Sequence, residues 1–186
     1  MTTPTTSTTP KVFNLIVLVA ALGYFVDIYD LLLFSVERIH SLKGNGIYKG
    51  ILGDGATDAE VKIIGKRLLN WQMGGMLIGG IFWGILGDKK GRLSVLFGSI
   101  ILYSLANIAN GFVQTVDQYA ALRFISGFGL AGELGAGITL VSETLSKEKR
   151  GIGTMIVATI GVFGAVVAGF MSNIIPNWRT SFFIGG

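Results

Sequence analysis

The sequence predicts an all-α membrane protein, and three observations carry that expectation. Five apolar runs each reach the ~20 residues a helix needs to cross the hydrocarbon core of a bilayer. The composition is 51% hydrophobic and only 14% charged, with a mean hydropathy of +0.63, a balance foreign to a water-soluble domain. The bases fall in short segments between the apolar runs, as orientation signals do, rather than on one continuous basic face. The net charge of +4 therefore implies no nucleic-acid partner. Cysteine is absent and His40 is the single histidine, which excludes disulfides, thiolate chemistry, zinc-thiolate sites and a histidine metal cluster. No metal or cofactor is expected.

Residues 1–11 are rich in Thr, Ser and Pro and contain no apolar run, so they read as a disordered cytoplasmic tail. The remainder, 12–186, reads as one transmembrane bundle. Its spans are expected at about 12–36, 68–87, 93–113, 119–141 and 151–175, with a partial sixth over 180–186 that stops after about two turns.

The first run contains Asp27 and Asp30 inside otherwise apolar sequence. An aspartate near a bilayer centre costs about 2.5 to 3.5 kcal/mol on insertion scales, so it is kept for a reason. Three residues apart on a helix, the two share a face, and two ionised carboxylates there would repel. A membrane proton site can be built this way. The alternative is that both lie near the helix end, solvated or paired with a base such as Arg38.

The first connection mixes Glu37, Arg38, Lys43, Lys49, Asp54, Asp58, Glu60, Lys62, Lys66 and Arg67, and its glycine turns around Gly44–Gly46 and Gly53–Gly55 mark a folded loop. Thr57-Asp-Ala-Glu60 matches a capping box, which places the start of the second helix near Asp58, ahead of its apolar run. Within the second span Asn70 and Gln72, and within the third Asn107 and Asn110, suit interhelical hydrogen bonds. Small residues four apart, including Gly75 and Gly79, Gly80 and Gly84, Ala131 and Gly135, and Gly161, Ala165 and Gly169, suit close helix contacts.

The fourth run carries Arg123 one or two turns in and Glu133 near its middle, and both need partners or water. Ten residues separate them, about 15 Å along the axis, so they cannot pair within one helix. Asp27 or Asp30 is the natural partner on another helix. Basic residues Lys11, then Lys89, Lys90 and Arg92, then Lys147, Lys149 and Arg150 lie on alternate connections, which places these and the amino terminus on the cytoplasmic side of a cell (inner) membrane. Two intramembrane aspartates raise an aspartyl-protease reading through Tyr29-Asp30 and Gly87-Asp88. It fails because Ile85 stands where the Gly-x-Gly-Asp motif has its first glycine, so no enzyme is expected.

The segment Gly84-x-x-x-Asp88-Lys-Lys-Gly91-Arg92 resembles the loop between the second and third helices of the major facilitator superfamily. Glu143-Thr-Leu-Ser-Lys-Glu-Lys-Arg150-Gly151 resembles the acid and Arg-Gly that follow the fourth helix in sugar porters and metabolite:proton symporters, with Ser146 in place of a common proline. Arg123 and Trp178-Arg179 match further family positions. Asp27-Ile-Tyr-Asp30 is similar to the paired aspartates of phosphate:proton and aromatic-acid:proton symporters, and Gly132-Glu133 to the phosphate-symporter signature. There Glu133 stands for Asp, and Leu134-Gly135 replaces Tyr-Pro, a departure that weakens phosphate specificity.

The resemblance implies the amino-terminal half of a major-facilitator bundle. It implies a secondary transporter of a small polar or anionic metabolite, proton-coupled, working by alternating access in concert with the missing carboxy-terminal half. Asp27, Asp30, Arg123 and Glu133 would serve proton coupling or substrate. Gly84, Asp88, Gly91, Arg92, Glu143 and Arg150 would form a cytoplasmic gate, and the lysines beside them would anchor the chain. The competing class is a non-transporting membrane scaffold or an unproductive fragment.

Overall fold

The computed structural model describes residues 15–53 and 55–185, so the tail 1–11, the start of the first span at 12–14, Asp54 and Gly186 lie outside the described residues. Six helices make up the fold among the described residues: α1 Leu15–Lys43, α2 Asp58–Lys90, α3 Arg92–Asn110, α4 Val116–Thr144, α5 Lys147–Ile174 and α6 Trp178–Gly185. The 29 residues of α1 and 33 of α2 rise about 43 and 50 Å, longer than the ~30 Å hydrocarbon core, so each projects beyond it.

Local sequence sets each boundary. α1 runs to Lys43 rather than stopping at 36, because nothing before Gly44 (φ 92°) breaks the helix. Glu37 and Arg38 therefore belong to the helix and not to the connection. Thr57 and Glu60 exchange hydrogen bonds as a capping box at the start of α2, and Thr115 and Gln118 do the same for α4, which begins at Val116. Gly91, at φ 88° and ψ 149°, turns the chain from α2 into α3 in a region open essentially to glycine. α3 ends at Asn110, short of the expected 113, where the amides of Gly111 and Phe112 close onto Ile108 and Ala109 carbonyls.

Among the described residues, four helices are long and apolar enough to cross a membrane: Val17–Lys43, Arg92–Asn110, Val116–Thr144 and Lys147–Ser172. α2, at 33 residues, is long enough but less apolar, because Asn70, Gln72 and its many glycines dilute its hydropathy, and it packs closely along α4.

The bundle is organised around α1 and α4. α4 packs against α1, α2, α3 and α5, and α1 against α2, α4, α5 and α6. The α2–α4 seam is backbone on backbone. A Cβ added at Gly75, Gly79 or Gly127 would lie closer than 3.0 Å to the carbonyls of Phe124, Phe128 and Gln72 respectively. Gly161 meets Tyr24 of α1, whereas Gly80, Gly84, Gly135 and Gly169 face open space, so only part of the small-residue pattern is used for packing. Trp83 closes the seam, its indole N–H donating to the Phe128 carbonyl at 2.8 Å.

At the end of the bundle where α1 finishes, three connections are tied together. Asn45 Nδ2 donates to the Pro176 carbonyl at 2.7 Å, Arg179 Nη1 to the Gly111 carbonyl at 2.7 Å, and Lys43 pairs with Asp58 at 2.7 Å. The Lys43 ammonium holds the Asp58 carboxyl below its usual range, and hydrogen bonds from the backbone and hydroxyl of Thr57 do the same for Glu60.

Candidate functional site

The centre of the bundle holds a polar cluster that helix geometry assembles from three elements. Positions 23, 27, 30, 34 and 37 of α1 recur every three or four residues, so they share one face, turned toward α4 and α6. Asp27, Asp30 and Glu37 lie on that face, and all three are buried. α4 contributes Arg123, Ser126 and Glu133, and α3 contributes Tyr103 and Asn107.

Arg123 Nη1 donates to Asp30 Oδ2 at 3.3 Å, and both side chains are 0% exposed. The guanidinium is held between rings, with its carbon 4.4 Å from the Phe34 centroid and 4.7 Å from that of Phe182. The contact is single-pronged: Arg123 Nε and Nη2 and Asp30 Oδ1 have no hydrogen-bond partner among the described residues. The pair is therefore weak evidence for stability, because a buried ion pair's Coulomb attraction does little more than offset its desolvation unless the remaining donors are satisfied.

One turn away, Glu133 of α4 lies against Asp27 of α1 and against Gly23, whose missing side chain makes room for it. Both oxygens of Asp27 and Glu133 Oε2 lack hydrogen-bond partners among the described residues. Two carboxyls thus lie together in an apolar interior, and Arg123, the cation of the cluster, is already paired with Asp30.

Tyr103 was not anticipated as a site residue, although its ring sits within electrostatic reach of Asp27, Asp30, Arg123 and Glu133. Asn107 Nδ2 donates to its hydroxyl at 3.2 Å, and Asn110 donates to the Ala106 carbonyl at 2.9 Å. These asparagines thus bond within α3, in contrast to the interhelical bonds expected of them. Gln72 is buried without a hydrogen-bond partner among the described residues, while Asn70 is exposed.

Glu37 was also missed, having been assigned to a connection. It is 1% exposed, accepts from Ser181 Oγ of α6 at 3.3 Å, and lies 3.3 Å from His40 Nδ1. The available signal was its position seven residues after Asp30, on the same helical face.

At the opposite end of the bundle, Arg92 Nη2 pairs with Asp88 Oδ1 at 2.8 Å across the Gly91 turn. Gly87 brings its backbone against the Arg92 side chain, and Gly84 faces open space. Arg150 Nε donates to the Leu145 carbonyl at 3.1 Å, and the exposed Glu143 makes no ion pair among the described residues. Two of the charges named for a gate are therefore joined, and Glu143 and Arg150 are not joined to them.

The chain is 37% identical over 115 residues to the niacin transporter NiaP of Acinetobacter baylyi, an alignment covering 60% of this chain and 26% of that protein. It is 30% identical over 171 residues to inorganic phosphate transporter 1-11 of Oryza sativa subsp. japonica, covering 87% of this chain and 30% of that one. The fold matches that of the xylose transporter XylE from E. coli in its inward open conformation, with a TM-score of 0.74 at 17% identity, over 91% of this chain and 44% of XylE. The chain thus spans less than half the length of each of these proteins. They are transporters, not enzymes, and the protease reading is set aside. The family model of the Major Facilitator Superfamily matches residues 47–186. This multi-pass membrane chain belongs to the Major Facilitator Superfamily.

Proposed function

We propose that the chain is the amino-terminal half of a secondary transporter that couples proton movement to the passage of a small polar or anionic metabolite. The observation that carries this reading is the buried Asp30–Arg123 pair beside the apposed, buried carboxyls of Asp27 and Glu133. A charge cluster inside a membrane bundle is costly to maintain and marks an ion or substrate path. Proton binding at Asp27, Asp30 or Glu133 would change the charge facing Arg123, whose free guanidinium donors would then be available to an anionic group.

In this reading the proton and a small anion are the partners, and the lipid bilayer and a carboxy-terminal half complete the working unit. The amino terminus and the Asp88–Arg92 loop face the cytoplasm of a cell membrane, consistent with the bases at that end. The Asp88–Arg92 pair, together with Glu143 at the end of α4 and Arg150 at the start of α5, would tie the cytoplasmic ends in one state of an alternating-access cycle. Moderate ion pairs suffice, since a two-state equilibrium shifts with a few kcal/mol.

The names of the relatives point to two kinds of anion, phosphate and niacin, and these define the test. The protein made from its complete reading frame is placed in liposomes, and uptake of phosphate, nicotinate, a sugar and a dicarboxylate is compared with and without an imposed pH gradient. Gradient-stimulated uptake of one of the anions is expected. No uptake of any of them would favour the scaffold class, and uptake indifferent to the gradient would remove proton coupling.

A further inference from the structure

Among the described residues, Glu37 is the one buried acid that neither the Asp30–Arg123 pair nor the Asp27–Glu133 contact uses. No lysine or arginine pairs with it there. Its two oxygens face groups that can hand on a proton instead of a fixed cation: Oε1 accepts from Ser181 Oγ of α6 at 3.3 Å, and Oε2 lies 3.3 Å from His40 Nδ1. A carboxyl buried without a fixed counter-ion is costly, so packing alone gives no reason for it.

His40 differs from Glu37 in access, since its side chain is 40% exposed where α1 nears its end at Lys43. An imidazole that touches a buried acid with one nitrogen and reaches the surface with the rest of its ring is arranged as a proton shuttle, because histidine gains and loses a proton in the physiological range. This end lies opposite the Asp88–Arg92 loop, and in the proposed orientation it faces away from the cytoplasm. Inward, Asp30 stands on the same helical face, about 10 Å along the axis. The buried hydroxyl of Tyr29 has no hydrogen-bond partner among the described residues and lies within electrostatic reach of both carboxyls. From α4, Tyr119 donates to Ser41 Oγ at 3.4 Å, one turn beyond Glu37, and its ring centroid is 5.6 Å from the Arg123 guanidinium carbon.

The other charges at this end are engaged elsewhere. Arg38 lies against Gly65 of α2, Lys43 pairs with Asp58, and Arg179 of α6 donates to the Gly111 carbonyl. Lys62, Lys66 and Arg67 of α2 are exposed. α5 brings no charge to this end, since its charged residues all lie in its first turn.

We infer that Glu37 and His40 form an outer proton station, through which protons from the side opposite the Asp88–Arg92 loop reach the Asp30–Arg123 pair. The His40 Nδ1–H bond breaks as the Glu37 Oε2–H bond forms, and the neutral imidazole recovers a proton from water outside. Glu37 then passes its proton inward and returns to the carboxylate. This role rests on the proton-coupled reading.

The test uses the complete protein in liposomes, with labelled phosphate and nicotinate as probes. It pairs accumulation driven by an imposed pH gradient with exchange of labelled for unlabelled substrate in its absence. Glu37→Gln keeps the shape and an oxygen for Ser181, and should cut gradient-driven accumulation roughly a hundredfold while sparing exchange, the low end for removal of a positioned proton-transfer group. Glu37→Asp should recover part of the loss. His40→Gln should flatten the dependence of uptake on outside pH, whereas Lys62→Gln, which removes an exposed charge from the same end, should not. Loss of exchange together with accumulation in Glu37→Gln would make Glu37 a structural tie to α6 and overturn the proposal. So would a pH dependence unchanged in both Glu37→Gln and His40→Gln, or one shifted equally by Lys62→Gln. An unaltered protein indifferent to the gradient would instead remove the proton-coupled reading itself, and this role with it.

Discussion

The α2–α4 seam and the α1–α4 interface share one helix, yet they are built on opposite principles. Along the seam, glycines let backbones touch, Trp83 donates its N–H to Phe128, and packing decides the geometry. Across the α1–α4 interface, Asp27, Asp30, Arg123 and Glu133 are buried with many polar atoms unpaired among the described residues. One face of α4 is optimised for contact and the other tolerates electrostatic strain. Buried charge of this kind is costly and is kept at functional sites.

That contrast can be broken most sharply at the ion pair. Arg123→Leu leaves Asp30 buried without its counter-charge and should destabilise the bundle by about 3 to 5 kcal/mol in detergent unfolding. Adding Asp30→Leu should restore most of the loss, because an apolar pair replaces a strained one. A double variant as unstable as the single one would mean that Arg123 acts mainly through packing on Phe34 and Phe182.

The seam should respond in the other manner. Gly127→Val drives a branched side chain into the Gln72 backbone and should cost about 1 to 3 kcal/mol, with no polar substitution able to compensate. Gly135→Ala, where space is open, should be neutral or slightly stabilising within about 1 kcal/mol, since alanine is the better helix former. If both glycine variants behaved alike in unfolding experiments, the seam would not be set by backbone approach.

The smallest effect concerns the start of α2. Glu60 is held below its usual range by the Thr57 backbone and hydroxyl, so its contribution is present above its ordinary value of 4.5 and is lost as pH falls through the lowered one. Thermal melts should show acid sensitivity in that window, and Thr57→Ala should reduce it. Unchanged sensitivity in Thr57→Ala would place the acid response elsewhere.

Helix positions were largely legible because bilayer-length apolar runs and capping boxes are local signals, as Thr57 and Glu60 show. α1 ran past its apolar stretch because Glu37 and Arg38 are good helix formers whose charges mark no boundary by themselves. The presence of a buried charge cluster was also legible, since each of Asp27, Asp30, Arg123 and Glu133 is costly where it stands. Which pairs form was not, because contacts between helices depend on crossing geometry that no single helix encodes. Tyr103 and Asn107 were hidden for a related reason: neutral polar residues at helical spacing look the same whether they pack or line a site. Glu143 and Arg150 illustrate the reverse case, in which a motif named residues whose side chains are not brought together here.

The most direct measurement of the central claim is uptake by the complete protein in liposomes with Asp30→Asn beside the unaltered chain. Asparagine keeps the shape and removes the titratable charge facing Arg123. The account predicts that the variant loses accumulation driven by an imposed pH gradient while still exchanging labelled for unlabelled substrate. Accumulation with the same pH dependence as the unaltered protein would contradict it.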